Sequence, residues 1–331
     1  MSEGEQSTLK HLRGAIKTLP NLTYLKLSDI TCSSEAMSKM IGNASNLNTI
    51  HLSNCNVSGL MEFLNTLIER VPNVRFDITP RFQPVVFGKA LGSNMTLQTL
   101  VLETSTKRSA KFLASALKTN IDLRCLKLKG QFSNTCEILS VIANLQNTTL
   151  WRLEGVRIEN EDDLDILTKF FTTNTSLISL SLYIADDMFK QQSRIEAAVR
   201  QNKCVVSLRI QYRSSMWKDD LRWLSVITDD VTLQNFELHS DITDIFSPIS
   251  AENIETLVQK NKTLRSVSIT RDDRYQVNLK QDKYDFIEGL LKYNPSLESL
   301  TFHKSEWKSS RNAHNTIQRE VSLVDLLLDR Y

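Results

Sequence analysis

A phrase of apolar residues spaced as L-x-x-L-x-L recurs along the chain. A clear copy is NLTYLKL at 21–27, and a weaker one, VPNVRF, occupies 71–76. Residues two apart point to the same side of an extended segment, so Leu25 and Leu27 share one face and Lys26 lies on the other. Each copy therefore predicts one short strand with an apolar and a polar face.

Eleven copies occur at nearly constant spacing. When the first apolar residue is taken as Leu22 in the first copy and Val74 in the weak one, the intervals lie between 23 and 33 residues. These first positions are 22, 47, 74, 97, 123, 150, 177, 205, 233, 264 and 297. A unit of this size cannot bury its own apolar face, so we expect neighbouring units to stack into one continuous core.

Between the copies the apolar period changes from two residues to three or four. Leu164, Leu167 and Phe171 show this spacing, which predicts a helix. The same period occurs within 60–68, 110–117, 195–199, 254–258 and 286–290. Alternating strands and helices indicate an α/β fold with parallel strands. Because a helix is wider than the ~4.8 Å strand spacing, we expect a horseshoe with a concave sheet and convex helices.

These copies resemble the leucine-rich repeat family, in the longer, helix-bearing form similar to ribonuclease inhibitor. The resemblance implies one continuous solenoid of about eleven repeats over 21–310. The N-x-T/S-L sequence before many strands then belongs to the repeat. In this family an Asn or Cys usually stands three residues after L-x-L and bonds to neighbouring loop backbone. Here only Cys55 matches, so we expect less regular loops.

Both ends carry helical apolar stripes outside the repeats. We expect residues 1–20 and 311–331 to form capping helices that cover the terminal core faces of the solenoid. The alternative is that these helices dock onto a partner. The stripes are Leu9, Leu12, Ile16 and Leu19 at one end, and Ile317, Val321, Val324 and Leu328 at the other.

Composition and charge argue against several function classes. The chain has 331 residues, with 40 Lys and Arg against 38 Asp and Glu, and this balance does not favour nucleic acid or an anionic membrane as the main partner. Only 9 glycines are present, and no phosphate-binding, zinc-protease or nucleophile-elbow motif occurs. The histidines are widely separated, and the paired aspartates lie near helix ends. We therefore expect no catalysis, no cofactor and no metal site.

The cysteines and the hydropathy pattern indicate the compartment. The 5 cysteines are scattered and contain no CxxC, which favours reduced, partly buried thiols. No stretch approaches the ~20 apolar residues that a membrane span needs. We expect a soluble, cytoplasmic monomer.

The outward strand positions form the first candidate binding surface. Because the apolar core does not use these positions, they are available for a partner. We hypothesise a mildly basic central patch that contacts an acidic protein; the alternative is an ordinary solvated face. The candidate residues of this surface are Tyr24, Lys26, His51, Lys127, Lys129, Arg152, Tyr183 and Arg209.

The longer C-terminal repeats suggest a second surface. Their extra residues follow the strands at 271–275 and 303–308, where we expect loops on one rim. Arg274, Tyr275 and Trp307 are of the types that dominate interface energetics. Trp307 has the alternative of folding back over the last repeat.

Three functions are compatible with such a chain. We favour a non-catalytic scaffold or adaptor that binds a protein partner. The second is a GTPase-activating protein resembling the Ran-directed members of the family, although the ending LLLDRY lacks their acidic tail. The third is a substrate-recognition subunit of a ubiquitin ligase, an innate sensor or a pathogen effector, for which we would expect an additional domain.

Overall fold

The protein divides into two compact units, Met1–Arg157 with Thr173–Leu177 and Ile158–Thr172 with Ile178–Tyr331. A computed structural model describes residues 11–12, 14–53, 55–58, 70–78, 84–145, 149–212, 226–227, 232–240, 260–271, 296 and 299–302.

The first unit contains one strand of its main sheet in each repeat. The strands are β1 (Tyr24–Ser28), β2 (Thr31–Ser33), β3 (Thr49–Ser53), β4 (Asn56–Ser58), β5 (Asn73–Ile78), β6 (Thr99–Ser109), β7 (Cys125–Ser133) and β8 (Arg152–Ile158). Strands β1, β3, β5, β6, β7 and β8 pair in this order and all run parallel. The short strands β2 and β4 form a separate parallel pair.

The second unit repeats this arrangement. Its strands are β9 (Ser179–Ile184), β10 (Ser207–Tyr212), β11 (Asn235–Ser240), β12 (Ser266–Arg271) and β13 (Ser299–Phe302). They also pair in chain order and run parallel. The predicted α/β repeat fold with parallel strands is therefore confirmed within each unit.

Helices occupy the connections between the strands. They are α1 (Ser34–Ile41), α2 (Pro84–Ser93), α3 (Lys111–Leu117), α4 (Cys136–Leu145), α5 (Glu161–Thr173) and α6 (Gln192–Arg200), with a 3₁₀ helix at Asp186–Gln191 before α6. The helices predicted within 110–117, 164–171 and 195–199 are confirmed, and Leu164, Leu167 and Phe171 are buried as expected. The helices predicted within 60–68, 254–258 and 286–290 lie outside the described residues.

Three helices were not predicted, namely α1, α2 and α4. Helices α1 and α4 do carry helical apolar stripes, which we overlooked: Met37, Met40 and Ile41 in α1, and Ile138, Leu139 and Ile142 in α4. Helix α2, PVVFGKALGS, contains two glycines, which normally weaken a helix, so tertiary packing forms it where the local pattern does not require it.

The terminal segments are described only in part. Residues 14–17 are helical and Ile16 is buried, whereas Leu19, which we placed on the same apolar stripe, is half exposed. The segment 311–331 lies outside the described residues.

The core lies between the strands and the helices. Along β1 the side chains alternate between exposed and buried, and Leu25 and Leu27 point inward. The Phe76 ring of β5 lies 6.3 Å from that of Phe87 on α2, which meets Phe112 of α3 edge-on at 6.0 Å. Each buried Leu or Phe stabilises the fold by about 1.5–3 kcal/mol, and neighbouring repeats share these contacts.

The register of β5 corrects the alignment of the weak repeat. Asn73 pairs with Thr49, and Val74 pairs with Ile50, so Val74 is the second apolar residue of its phrase. Val71, which is 1% exposed, is the first. Our choice of Val74 as the first apolar residue was wrong. With Val71 the two adjoining intervals become 24 and 26 residues, closer to the common period.

Buried asparagines hold the turn that precedes five of the strands, β6, β7, β9, β10 and β12. They stand three residues before the first apolar position of their repeats. In each, Oδ1 accepts hydrogen bonds from the backbone N–H groups two and three residues later. These residues are Asn94, Asn120, Asn174, Asn202 and Asn261.

Asn120 also joins its repeat to the preceding one. Its Nδ2 donates to the carbonyls of Leu91 at 2.7 Å and Asn94 at 2.9 Å. Its Oδ1 accepts from the N–H of Asp122 and Leu123, so one side chain satisfies four backbone groups. In the copies of N-x-T/S-L that start at Asn94, Asn174 and Asn261, the asparagine makes the same two bonds to the turn, so this sequence is a structural part of the repeat.

Two glycines allow adjacent strands to approach closely. Gly130 has φ 91°, and a Cβ there would lie 1.9 Å from the Thr104 carbonyl oxygen. Gly155 has φ 86° and a Cβ would lie 2.0 Å from the Leu128 oxygen. A side chain at either position would be strained and would collide with backbone. The β6–β7 register shifts just after Thr104, which shows that this part of the repeat is irregular.

The cysteines are free, as predicted. Four of the five are buried and Cys204 is half-buried. Burial, assisted by Cys55, raises the pKa of Cys32 to about 11. The Cys55 Sγ donates to the Leu27 carbonyl of the preceding repeat at 3.5 Å. This contact matches the loop role that the family resemblance implied for Cys55.

Replacing Asn120 with Ala should destabilise the first unit by about 3 kcal/mol, because four buried backbone groups lose their partner. Asn43→Ala is the control, since Asn43 makes one exposed bond to the Lys39 carbonyl. Its cost should stay below about 0.5 kcal/mol. Urea unfolding measures both. Equal costs in the two variants would contradict the role of Asn120.

Gly130→Ala should also destabilise the fold by about 3 kcal/mol, since its backbone conformation and its neighbour both exclude a Cβ. Gly14→Ala is the matched control, because Gly14 is helical and a Cβ there meets nothing within 4 Å. It should stabilise by about 0.5–1 kcal/mol. Thermal unfolding of the two variants should give shifts of opposite sign, and shifts of the same sign would refute the assignment.

Candidate functional site

The outward side chains of the main strands form a polar surface in each unit, which we call the strand face. In the first unit it comprises the outward residues of β1, β3, β5, β6, β7 and β8. Because parallel strands in register place equivalent residues side by side, these side chains form columns across the sheet about 4.8 Å apart. The strand face of the first unit consists of 24, 26, 28, 49, 51, 53, 73, 75, 77, 99, 101, 103, 125, 127, 129, 152 and 154.

His51 lies at the centre of a buried polar cluster on this face. It points outward from β3 but is only 7% exposed. Its Nε2 lies 3.7 Å from Asp77 Oδ1, and neither atom has a hydrogen-bond partner. Burial, together with the charges of Arg75 and Lys26, lowers the pKa of His51 and outweighs the opposing effect of Asp77. The imidazole is therefore held neutral.

Arg75 connects this cluster to the next strand. Its guanidinium NH2 bonds to Glu103 Oε2 at 2.5 Å, and Ser53 Oγ donates to Asp77 Oδ2 at 2.6 Å. Both partners of the Arg75–Glu103 pair are more than a third exposed, so this bond supplies little folding energy. Lys129 on β7 is the register neighbour of Glu103. Because Glu103 bonds to Arg75, Lys129 has no ion pair among the described residues.

Two cations share one carboxylate at the start of β8. Glu154 Oε1 lies 2.9 Å from Lys127 Nζ and 2.6 Å from Arg152 Nε. Burial alone would raise the pKa of Glu154, but the bonds and charges of Lys127 and Arg152 hold it below its ordinary value. Cys125 lies beside this cluster, and burial raises the pKa of its thiol although Lys127 and Arg152 act in the opposite direction.

The first unit's strand face carries an excess of positive charge. Five of its side chains are cationic and three are anionic, so the excess is two charges while His51 is neutral. Lys26 and Lys129 are exposed and make no ion pair. The cationic residues are Lys26, Arg75, Lys127, Lys129 and Arg152, and the anionic ones are Asp77, Glu103 and Glu154.

The strand face of the second unit is electrically balanced over its described side chains. Arg209 bonds to Glu237 Oε2 through Nε at 2.8 Å and NH2 at 2.5 Å. Tyr183 on β9 is half-buried, and its neighbours Ser181 and Gln211 are uncharged. The candidate patch thus has its unbalanced charge in the first unit, whereas Tyr183 and Arg209 belong to the second.

The predicted site residues differ in exposure and pairing, and Tyr183 is half-buried on β9. Tyr24 and Lys26 are exposed on β1, as is Lys129 on β7. His51 is buried, so it is not available as a contact residue in this conformation. Lys127, Arg152 and Arg209 point outward but are paired with glutamates. Arg274, Tyr275 and Trp307 lie outside the described residues.

Arg75 and Asp77 are site residues that the sequence interpretation missed. They lie in the weak repeat, whose alignment on Val74 removed them from the outward positions. Taking Val71 as the first apolar residue places both on the strand face. The pairing of Glu154 with two cations was also missed, because sequence does not give cross-strand distances.

The described residues contain no group of three or more His, Cys, Asp or Glu side chains that could hold a metal ion. Among the helices in the described ranges, none has the length and apolarity needed to cross a lipid bilayer.

Comparison with known proteins gives a structural similarity and no family. No protein-family model and no curated protein matches the chain. The fold is similar to a chain in the crystal structure of the Rad7 and Elc1 complex in yeast, with 14% sequence identity and a TM-score of 0.47. The match covers 92% of this chain and 86% of that chain. Similarity at this level identifies neither a family nor a function.

We expect the stability of the protein to depend on pH through His51. The unfolded chain takes up a proton near pH 6.5, whereas the folded chain resists protonation until lower pH. The stability associated with neutral His51 is therefore present above pH 6.5 and is lost as the pH falls from there toward the lowered pKa. Urea unfolding between about pH 8 and pH 5 measures this dependence.

His51→Gln should lose this part of the pH dependence. The difference in unfolding free energy between the wild type and the variant should be constant at the alkaline end, which gives the pH-independent cost of the substitution. The difference should then shrink as the pH falls. Parallel curves for the two proteins would show that the folded state does not hold His51 neutral.

Proposed function

We propose that the protein is a non-catalytic binding protein, and that the strand face of its first unit binds an acidic segment of a partner protein. The observation that carries the proposal is the excess of two positive charges on this face, with Lys26 and Lys129 exposed and unpaired. An acidic partner would supply the missing counter-charges. On the strand face of the second unit, the described cationic and anionic side chains balance, so no counter-charges are missing there.

The charge arrangement favours attraction and orientation of the partner more than high affinity. A single exposed ion pair contributes about 0.2–1 kcal/mol, so Lys129 alone cannot hold a partner. Several cations on one rigid sheet act together, because the strands fix their spacing. Such a surface raises the association rate and makes it sensitive to salt.

The internal pairs hold the cations in position. Glu154 binds both Lys127 and Arg152, so these side chains have little freedom to lose when a partner arrives. Lys127 and Arg152 also have N–H groups that these two bonds do not use, and such donors can bind a second carboxylate. The cluster therefore offers two ordered cations beside the unpaired Lys129.

We further propose that the repeats belong to the leucine-rich repeat family, with the strands on the inner side of a curved solenoid. The support is the recurring L-x-x-L-x-L phrase, which forms one parallel strand per repeat, and the helices in the connections. In that arrangement, the strand face would be the concave side, where a partner segment meets several repeats at once.

Reversing the charge of Lys129 should weaken partner binding without unfolding the protein. Lys129→Glu changes an exposed side chain that makes no ion pair, so its effect on stability should be small. Affinity should fall by about tenfold, and the fall should lessen at high salt. Lys89→Glu on α2 is the control with the same charge change on an exposed helix position.

Affinity purification with mass spectrometry from the native cells identifies the partner, and titration with the purified partner gives the affinities. Partners that are retained by Lys89→Glu and lost by Lys129→Glu would be those bound by the strand face. If purified partners bind both variants and the wild type equally, the strand face of the first unit is not the binding surface.

A further inference from the structure

Three large apolar side chains are exposed at one edge of the first unit's sheet. Met95 is 74% exposed, Ile121 is 65% exposed and Trp151 is 42% exposed. They stand in three consecutive repeats, at the turns that lead into β6, β7 and β8. Exposed apolar residues that occur singly are ordinary, whereas a group on one edge indicates an interaction site.

The turn itself does not require apolar residues there. Met95 and Ile121 both stand two residues before the first apolar position of their repeats. At the same position in the other described repeats stand Pro20 in the first repeat and four polar residues, namely Ser45, Thr175, Lys203 and Lys262. Each of these four is also exposed. Met95 and Ile121 therefore add exposed apolar surface without serving the fold.

Backbone hydrogen bonds place this edge beside the cationic cluster. The N–H groups of Trp151 and Arg152 both donate to the Arg124 carbonyl, at 3.0 and 3.1 Å. The N–H groups of Arg124 and Cys125 both donate to the Gln98 carbonyl at 2.9 Å. Trp151 is thus the strand neighbour of Arg124 and directly precedes Arg152. The exposed Trp151 and Arg124 therefore stand at the ends of the two strands that carry Arg152 and Lys127.

We infer that the segment bound by this protein combines an acidic side chain with an aliphatic or aromatic one. This inference rests on the proposed function and specifies the partner's chemistry. The acidic side chain binds Lys127, Lys129 and Arg152 on the strand face. The apolar side chain packs on the edge patch formed by Met95, Ile121 and Trp151.

Strand geometry sets the spacing of the two recognition residues. Lys127 lies three residues along the strand from Arg124, and therefore about 10 Å from the edge at ~3.3 Å per residue. An extended peptide covers the same distance in about three residues. The bound segment therefore carries its acidic and apolar side chains about three positions apart, with the peptide running along the strand direction.

The charge on the surrounding residues agrees with this orientation. Arg124 is exposed at the edge between the rows of Ile121 and Trp151, and it adds a cation beside the apolar patch. Arginine next to tryptophan is a combination enriched in interface centres. The negative charge of a bound acidic segment would thus be near a cation both on the strand face and at the edge.

A phage-displayed random peptide library, selected on the full-length protein, tests the inference. Selected peptides should pair Asp or Glu with a large apolar residue about three positions away. Their affinities are then measured by fluorescence anisotropy against variants of the edge patch. Trp151→Ala and Ile121→Ser should each weaken binding by about fivefold or more. If Trp151→Ala does not fold, Ile121→Ser alone tests the contribution of the edge patch.

The control removes exposed apolar surface elsewhere. Val85 is 68% exposed on α2, so Val85→Ser makes a similar change away from the edge and should leave peptide affinity unchanged. Lys129→Glu reports on the proposed function separately. If the peptide affinities change with Lys129→Glu but not with the edge variants, the proposed binding of an acidic segment by the strand face stands and the edge inference fails.

Two other outcomes would overturn the inference. Peptides that bind all variants equally would remove both the binding face and the edge patch. A second copy of this chain is the competing occupant of the edge. Light scattering after size-exclusion chromatography detects it: a dimer that Trp151→Ala dissociates would make the edge a self-association surface instead of a peptide site.

Discussion

The burial of the turn between each helix and the next strand is the constraint on which the rest of the structure depends. A turn packed between repeats has no water to satisfy its backbone groups, so the protein must supply the partners itself. Asn120 does this for four groups and reaches into the preceding repeat. Such residues recur before β6, β7, β9, β10 and β12, where each fixes the backbone conformation at the start of its strand.

That fixed start determines the chemistry of the strand face. Parallel strands held in register place their outward side chains in columns, where like charges would repel. Most of the charged side chains form ion pairs instead: Arg75 bonds to Glu103, and Glu154 bonds to both Lys127 and Arg152, although Asp77 and Glu103 are register neighbours. These pairs neutralise most of the charge and leave Lys26 and Lys129 without an ion pair among the described residues. The backbone hydrogen bonds between Arg124 and the start of β8 also place Trp151 at the edge of the sheet, directly before Arg152.

The sequence placed some of the candidate residues correctly on the strand face, and the failures have physical causes. Lys129 lies at an exposed outward position as expected, because a period of two assigns outward positions without any knowledge of neighbours. His51 was assigned by the same rule but is buried, and its register neighbours are Lys26 on β1 and Arg75 on β5. Arg75 and Asp77 were missed because Val71 and Val74 are both apolar, and only the pairing of Asn73 with Thr49 decides between them.

The sequence by itself determined the repeat, its approximate period, the parallel α/β organisation and the buried face of the main-sheet strands other than β5. These follow from the spacing of leucines, because burial of apolar surface is the dominant stabilising energy and requires apolar residues at regular intervals. Only the tertiary structure decided which charges are neutralised, that His51 is buried, and that Asn120 bonds to the preceding repeat. These features depend on distances between residues some 25 positions apart, which are set when neighbouring repeats pack and are not encoded in any local pattern.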